Sequence, residues 1–458
     1  MRPVKPADTR ALAYFPEPGR DKVSSAQILS PAASREYSGR IDTLTSLRFY
    51  AAIGVAIMHS QIAFGPNIAV ATFFTAQAGV SFFFVLSGFV LTYTYRRLNS
   101  RRSIFRFWLA RFARIWPAHV VAILLLVLST GYTNTAGMGA RYLPITILAN
   151  LFLVQSWIPY TDFWLSLNGV AWSISDEFFF YAVFPILLWA LWQARWRAFA
   201  IILGVVVFFI ALCAVASLPV LELGRIDAAA LLYANPLVRI FEFYIGMLSY
   251  PLLVALRPMV LRMSPWLATV AEAVVIAFFL CLIYRPLHTV LFSGTGNFAK
   301  MAAVYAGKSG GSAPAAALLI VVFAAQRGAV SKFLQLPICI FLGEISYAFY
   351  LVHAIVLAWY APQESGDYFS WDAPAAYVHY WTTCLSVSSA LYLCVERPCR
   401  AAIRHLPDMR LADLRTVLSI RFLRRQAAST YACACYAALL VVGVDFWLGH
   451  LYLSPVKH

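Results

Sequence analysis

The chain has 458 residues, of which 61% are hydrophobic and only 12% charged, with a formal net charge of +16 and a mean hydropathy of +0.72. Soluble domains carry about 25% charged residues, so a water-soluble globule is excluded and the solvent for this much apolar surface must be lipid. The arginines cluster in short stretches between apolar segments, which is the positive-inside pattern of a multi-pass membrane protein rather than the basic face of a nucleic-acid binder, and no nucleic-acid partner is expected.

The first forty residues are rich in Pro, Ala and Ser, mixed in charge, and lack an apolar run of signal-peptide length, so 1–40 read as a flexible cytoplasmic tail. Apolar segments of spanning length follow near 46–64, 71–95, 115–131, 172–193, 198–218, 232–256, 266–284, 314–326, 334–360, 373–395 and 429–453. Segment 314–326 is short, and a start near Lys300 would lengthen it. The predicted fold is an all-α polytopic transmembrane helical bundle of about ten core helices across 41–400. A basic cytoplasmic segment at 401–428 and one extra C-terminal helix within 429–458 complete the chain.

Topology turns on 141–157, which is apolar but marginal in length. If it folds back instead of crossing, five basic stretches fall on one side: Arg96 to Arg114, Arg195/Arg197, Arg257/Arg262, Arg327/Lys332 and Arg397 to Arg425. That arrangement, with the N-terminus cytoplasmic, is the preferred reading. Ser293–Ser312 is Gly/Ser-rich and predicts an external loop. Its Gly307-Lys308-Ser309 is no phosphate loop, because Ala302 stands where that motif needs Gly and no strand precedes it. The eight cysteines read as small apolar packing residues, and Cys433-Ala-Cys435 has no partner motif for a metal site.

Polar residues inside the spans carry the functional signal. Eleven helical steps leave Arg48 and His59 within about 20° of one face and roughly 16 Å apart along the axis. The arginine falls near the membrane surface and the histidine near the midplane, where a titratable ring is costly and points to function. Ser87-Gly88-Phe89 lies about 13 Å from the Arg96 end of the second span, a depth close to that of His59; small residues there equally favour a tight helix contact. Trp172-Ser-Ile-Ser-Asp-Glu177-Phe-Phe-Phe-Tyr181 opens a span with two adjacent carboxylates. Glu177 is a candidate acid, base or hydroxyl anchor, against the plainer role of a charge favoured by a helix start. Arg239 and Glu242 stand three apart and read as a structural pair. Arg111 and Arg114, also three apart, suit phosphates or anionic headgroups. Tyr347, Tyr350 and His353 share one helical face; an aromatic belt accounts for the tyrosines but not for the histidine.

Taken together, these residues resemble the acyltransferase-3 family of bacterial membrane O-acyltransferases. The matching pieces come in the family's order: Leu44-Thr-Ser-Leu-Arg48 with ten residues before His59, Phe83-Phe-Val-Leu-Ser-Gly-Phe89, Arg111-Phe-Ala-Arg-Ile-Trp-Pro117, Trp172 to Glu177 with Phe180-Tyr181 and Pro185, Arg239-Ile-Phe-Glu-Phe-Tyr-Ile-Gly246, Ser346-Tyr-Ala-Phe-Tyr-Leu-Val-His353, and Glu396-Arg-Pro398. The resemblance implies transfer of an acyl group, usually acetyl, from acetyl-CoA as co-substrate to a hydroxyl of a carbohydrate-containing acceptor at the bacterial inner membrane, with no bound cofactor. It carries an essential role to Arg48 and His59. Asp176 departs from the family, which often has an apolar residue there, and leaves open which carboxylate acts.

On that reading the phosphates of coenzyme A meet Arg48, Arg111 and Arg114, whose guanidinium forks bind two oxygens at once. The thioester then reaches His59, as general base or as covalent relay. Glu177 orients the acceptor or the histidine, and Ser87, Asp176, Tyr347, Tyr350 and His353 are the remaining candidate substrate contacts. The rival readings are a proton-coupled secondary transporter and a lipid-sugar flippase. The lack of a two-fold internal repeat argues against the carrier.

Overall fold

Long apolar runs form most helices of this chain, and the computed structural model describes them over residues 40–64, 75, 77–130, 142–284, 295–360 and 374–405. Among these residues the regular secondary structure is all helical, with a single isolated β-bridge between Tyr160 and Ile226. In chain order the main helices are α1 (Asp42–Phe64), α2 (Gln77–Thr94), α3 (Arg101–Thr130), α4 (Leu143–Leu151), α5 (Trp172–Val215), α6 (Pro236–Arg262), α7 (Pro265–Ile283), α8 (Asn297–Lys308), α9 (Ala313–Ala324), α10 (Ala329–Leu334), α11 (Pro337–Tyr360), α12 (Pro374–Leu391) and α13 (Arg397–His405). Six of the described helices are long and apolar enough to cross a membrane, or seven if the bent pair α8 and α9 forms one span. The chain is therefore an all-α, multi-pass membrane bundle.

Among the described residues, each of the ten core segments read from the sequence contains a helix. Helix α5 holds two of them in succession, because Ala194 (φ −150°, ψ 41°) kinks it into two stretches of about twenty residues, a span's length each. Helices α1 and α12 fall short of the apolar criterion on composition alone. The predicted 1–40 tail lies outside the described residues except for its last position, and the extra helix within 429–458 lies wholly outside them.

Two stretches that lie between the apolar segments are largely helical. The basic stretch Arg96 to Arg114 is mostly helix, since α3 begins at Arg101. Ser100 and Ser103 cap its start reciprocally, each side-chain oxygen accepting the other's backbone N–H at 3.1 Å. Its early residues are good helix formers with no breaker before Pro117. The expected external loop Ser293–Ser312 is mostly α8, which breaks at Ser309 (φ −135°, ψ −100°) and bends by 60° into α9 through a short 3₁₀ turn. The helix of the short segment 314–326 begins at Ala313, and a start near Lys300 holds only if α8 and α9 together form one bent span. The marginal segment 141–157 forms α4, only nine residues long, then turns at Phe152 into a 3₁₀ turn at Gln155–Trp157. Nine residues rise about 14 Å, so no continuous helix spans there. His119 Nε2 and Trp116 Nε1 on α3 hold this segment through the carbonyls of Asn150 (2.9 Å) and Leu151 (3.0 Å).

Two crossings position the site. Helices α2 and α6 touch backbone to backbone: a Cβ on Gly88 would lie 1.9 Å from the Phe243 carbonyl oxygen, and one on Gly246 would lie 1.9 Å from that of Val85. Helix α1 meets α11 in the same way, where a Cβ on Gly343 would lie 2.1 Å from the Thr45 carbonyl oxygen. Small residues permit this approach, and dispersion then holds helices that gain no hydrophobic drive from lipid. Arg239 and Glu242 pair as expected, with Nη1 2.6 Å from Oε1, both side chains fully buried. The guanidinium packs over Phe84, Tyr233 and Trp172 at 4.9, 5.4 and 5.7 Å. Glu272 of α7, also buried, accepts from the backbone N–H groups of Gly328, Val330 and Ser331 and so caps α10 from outside the helix.

The α2–α6 contact predicts that Gly88→Ala and Gly246→Ala each lose folded protein. Overpacking costs about 1–3 kcal/mol even where side chains give way, and here the obstacle is backbone. Gel filtration in detergent and thermal melting check this; wild-type behaviour of both variants would show that the two backbones do not meet there.

Candidate active site

Five helices supply one polar cleft inside the bundle. Arg48 comes from α1, Ser87 from α2, Arg111 and Arg114 from α3, Ser173, Glu177 and Tyr181 from α5, and Ser346, Tyr347 and Tyr350 from α11. Apolar side chains of α2, among them Phe83 and Phe84, complete the wall. The empty volume is about 720 Å³, counting its open mouth.

Glu177 is the polar centre of the cleft. Its Oε1 accepts from Ser87 Oγ at 3.1 Å and from the hydroxyl of Tyr181. Tyr181 lies one helical turn after Glu177, so the i,i+4 spacing could have found it as a site residue, yet sequence reasoning used it only as a motif piece. Ser87 and Gly88 divide their duties: Gly88 permits the α2–α6 contact, and Ser87 faces the cleft.

Three guanidiniums share this space. Arg111 packs over the rings of Tyr95 and Tyr181 at 5.7 and 5.8 Å, and its buried Nε has no hydrogen-bond partner. Among the described residues none of Arg48, Arg111 and Arg114 forms an ion pair. Arg48 feels Arg114, Glu177 and Arg111 electrostatically. Glu396, which the sequence offered only within a motif, acts on Arg114, Arg400 and Arg48, and its carboxylate pairs with Arg400 at 3.3 Å. Like charges held together without balancing ion pairs leave the cleft positive at this end, which favours an anionic ligand.

On α11, Tyr347 donates to the Ile115 carbonyl at 2.9 Å, and the Tyr350 hydroxyl lies 3.0 Å from Ser173 Oγ. The tyrosines thus line the cleft with their hydroxyls anchored. His353, one turn on, is fully buried, with its ring 5.6 Å from that of Tyr350. Its Nε2 lies 3.0 Å from His59 Nδ1. His59 is half-buried, and its Nε2 makes no hydrogen bond among the described residues. Neither histidine is among the side chains lining the cleft; the pair lies next to Tyr350, one side chain away.

Asp176 does not belong to this group. One residue from Glu177, it turns about 100° around α5 and away from the cleft. It is fully buried, with both carboxylate oxygens unpartnered among the described residues. Its electrostatic neighbours are Arg239 and Glu242. Unlike Glu177, Asp176 is not among the side chains lining the cleft: adjacency in sequence puts the two acids on different faces of the helix.

The sequence is similar to those of known proteins. Residues 41–393 fit the acyltransferase-3 profile, described as an acyltransferase domain; the match stops short of Glu396-Arg-Pro398. The chain is 28% identical over 400 residues to acyltransferase MdmB of Streptomyces mycarofaciens, covering 82% of this chain and 93% of that one. It is 31% identical over 139 residues to nodulation protein 10 of Rhizobium leguminosarum bv. viciae, covering 28% of this chain and 37% of that protein. No solved structure matches.

Proposed function

The chain belongs to the acyltransferase-3 family and is a membrane acyltransferase, and from this premise we propose that it moves an acyl group, acetyl in the first instance, from cytoplasmic acyl-CoA to a hydroxyl of a carbohydrate-containing acceptor. The observation that carries the donor assignment is the cluster of Arg48, Arg111 and Arg114 in one cleft, without an ion pair among the described residues. Guanidiniums left in that state suit a ligand that brings several phosphate oxygens. The protein lies in the bacterial inner membrane with its N-terminus and this basic end toward the cytoplasm, where acyl-CoA is found.

His59 acts as the general base. Its Nε2 takes the proton of the acceptor hydroxyl as the oxygen attacks the thioester carbon. The C–S bond then breaks, and the coenzyme A thiolate recovers that proton from His59. Glu177, held by Ser87 and Tyr181, accepts a hydrogen bond from the acceptor and fixes its approach. Tyr347 and Tyr350 shape the wall between the arginines and the histidine.

Purified protein in lipid, incubated with labelled acetyl-CoA and glycan-bearing membrane extract, tests the reading. Label should pass into a carbohydrate fraction in an ester that mild base releases. A carrier or flippase would leave acetyl-CoA unconsumed, and that result overturns the proposal.

Arg48→Lys should raise the apparent KM for acyl-CoA by about tenfold, since a point charge replaces a bidentate fork and charge-assisted hydrogen bonds contribute about 1.5–3 kcal/mol. The turnover number should change less. Initial rates against acyl-CoA concentration check this, and an unchanged dependence removes Arg48 from the donor site.

A further inference from the structure

The two histidines lie 294 positions apart in sequence and meet across the α1–α11 contact. Their rings are nearly coplanar, 3° between planes with centroids 5.3 Å apart, which is the arrangement of an in-plane N–H···N hydrogen bond rather than of face-to-face stacking. The geometry points to His353 as a positioning residue that sets the tautomer of His59, an inference resting on the reading of His59 as the base.

The argument starts from a backbone oxygen. His353 Nδ1 faces the carbonyl oxygen of Phe349, one turn earlier in α11, at 3.3 Å. A carbonyl only accepts, so Nδ1 carries the hydrogen. A neutral imidazole has one N–H, and Nε2 of His353 is then an acceptor. That nitrogen faces His59 Nδ1 at 3.0 Å, so His59 donates from Nδ1. Its remaining lone pair is left on Nε2, the nitrogen with no hydrogen bond among the described residues. One carbonyl thus determines which nitrogen of a histidine on another helix is basic.

The groups packed around the pair agree with two neutral rings. His353 is flanked by Phe349 and Tyr350 on its own helix, and Tyr380 of α12 reaches its backbone carbonyl at 3.5 Å. Among the described residues no carboxylate is hydrogen-bonded to either ring. A carboxylate in that position would hold His59 equally well but would bury a negative charge, which is costly unless paired; a second imidazole supplies the acceptor without it. When His59 takes the hydroxyl proton, its Nδ1–H stays on His353 Nε2, and the ring keeps its orientation through the transfer.

The test reads the tautomer and the rate separately. Protein with ring-¹⁵N histidine is examined in lipid by solid-state NMR, with His59 assigned from the spectrum of His59→Asn. Wild type should show His59 protonated at Nδ1 and bare at Nε2. His353→Leu, which removes the acceptor, should shift His59 towards the Nε2–H form and lower kcat by about tenfold or more, with KM for acyl-CoA within about twofold. His353→Gln offers an amide oxygen to Nδ1 and should recover most of the lost rate. A wild-type His59 protonated at Nε2 overturns the inference, and that arm needs no variant. So does a His353→Gln enzyme no faster than His353→Leu at equal folded protein. Failure of the base reading looks different: His59→Asn would retain the rate while the wild-type tautomer stood as described.

Discussion

His59→Ala will reduce acyl transfer to the background of the membrane, at least 10²-fold and up to about 10⁴-fold, the range for a lost general base. The protein will still fold, because the side chain is half-buried and its hydrogen bond is to one partner, His353. The loss should fall on kcat, with acyl-CoA binding close to wild type, since the arginines of the donor cleft are separate from the histidine pair. Initial rates of labelled acetyl transfer, set against donor binding by the same preparation, check both halves. Substantial residual turnover at normal folded protein would take catalysis away from His59. A parallel loss of donor binding would instead place the histidine in the donor cleft.

The second large effect separates the two adjacent acids. Glu177→Gln should lower kcat/KM about 100-fold, while Asp176→Asn should leave turnover within about threefold of wild type, consistent with about 1.5–3 kcal/mol for hydrogen bonds to charged groups. Glu177 faces the cleft, accepts from Ser87 and Tyr181, and lies within the electrostatic reach of Arg48 and Arg114. An amide keeps the size but removes the charge and puts an NH₂ group where an oxygen accepted. Asp176 is fully buried beside the Arg239–Glu242 pair and is not among the side chains lining the cleft. Its replacement by Asn acts on folding, through the melting temperature, rather than on turnover. Turnover of both variants, each normalised to folded protein, decides it; if Asp176→Asn loses more turnover, the roles are reversed.

The difference between those two acids shows where sequence information ended. Apolar runs are a property of a short stretch of chain, because every helix in lipid must satisfy its own backbone. The spans, the all-α bundle and the kinked double span at 172–215 were therefore legible from hydropathy. Spacing within one helix is equally local, and it put Tyr347 and Tyr350 on a common face that does line the cleft, with His353 beside them. It put Arg48 and His59 on one helix as well. Helix starts and breaks were less legible: nothing in the arginine-rich stretch marked the capping of α3 by Ser100 and Ser103, and glycine content at 293–312 suggested a loop where a bent helix pair forms.

What the sequence determined by itself is thus the membrane, the helices and a short roll of costly polar residues inside them. Which of those residues meet was decided by tertiary structure. Ser87 and Glu177 are 90 positions apart, and His59 and His353 are 294 apart. His59 and His353 meet on the α1–α11 crossing that Gly343 permits, and Ser87 stands beside the Gly88 at which α2 touches α6. A residue's rotation about its own helix follows from 3.6-residue geometry, but the neighbour it faces is set by packing against distant segments. That is why Glu177 lines the cleft while Asp176 does not, and why a histidine of α11 meets one of α1, only once the bundle has closed.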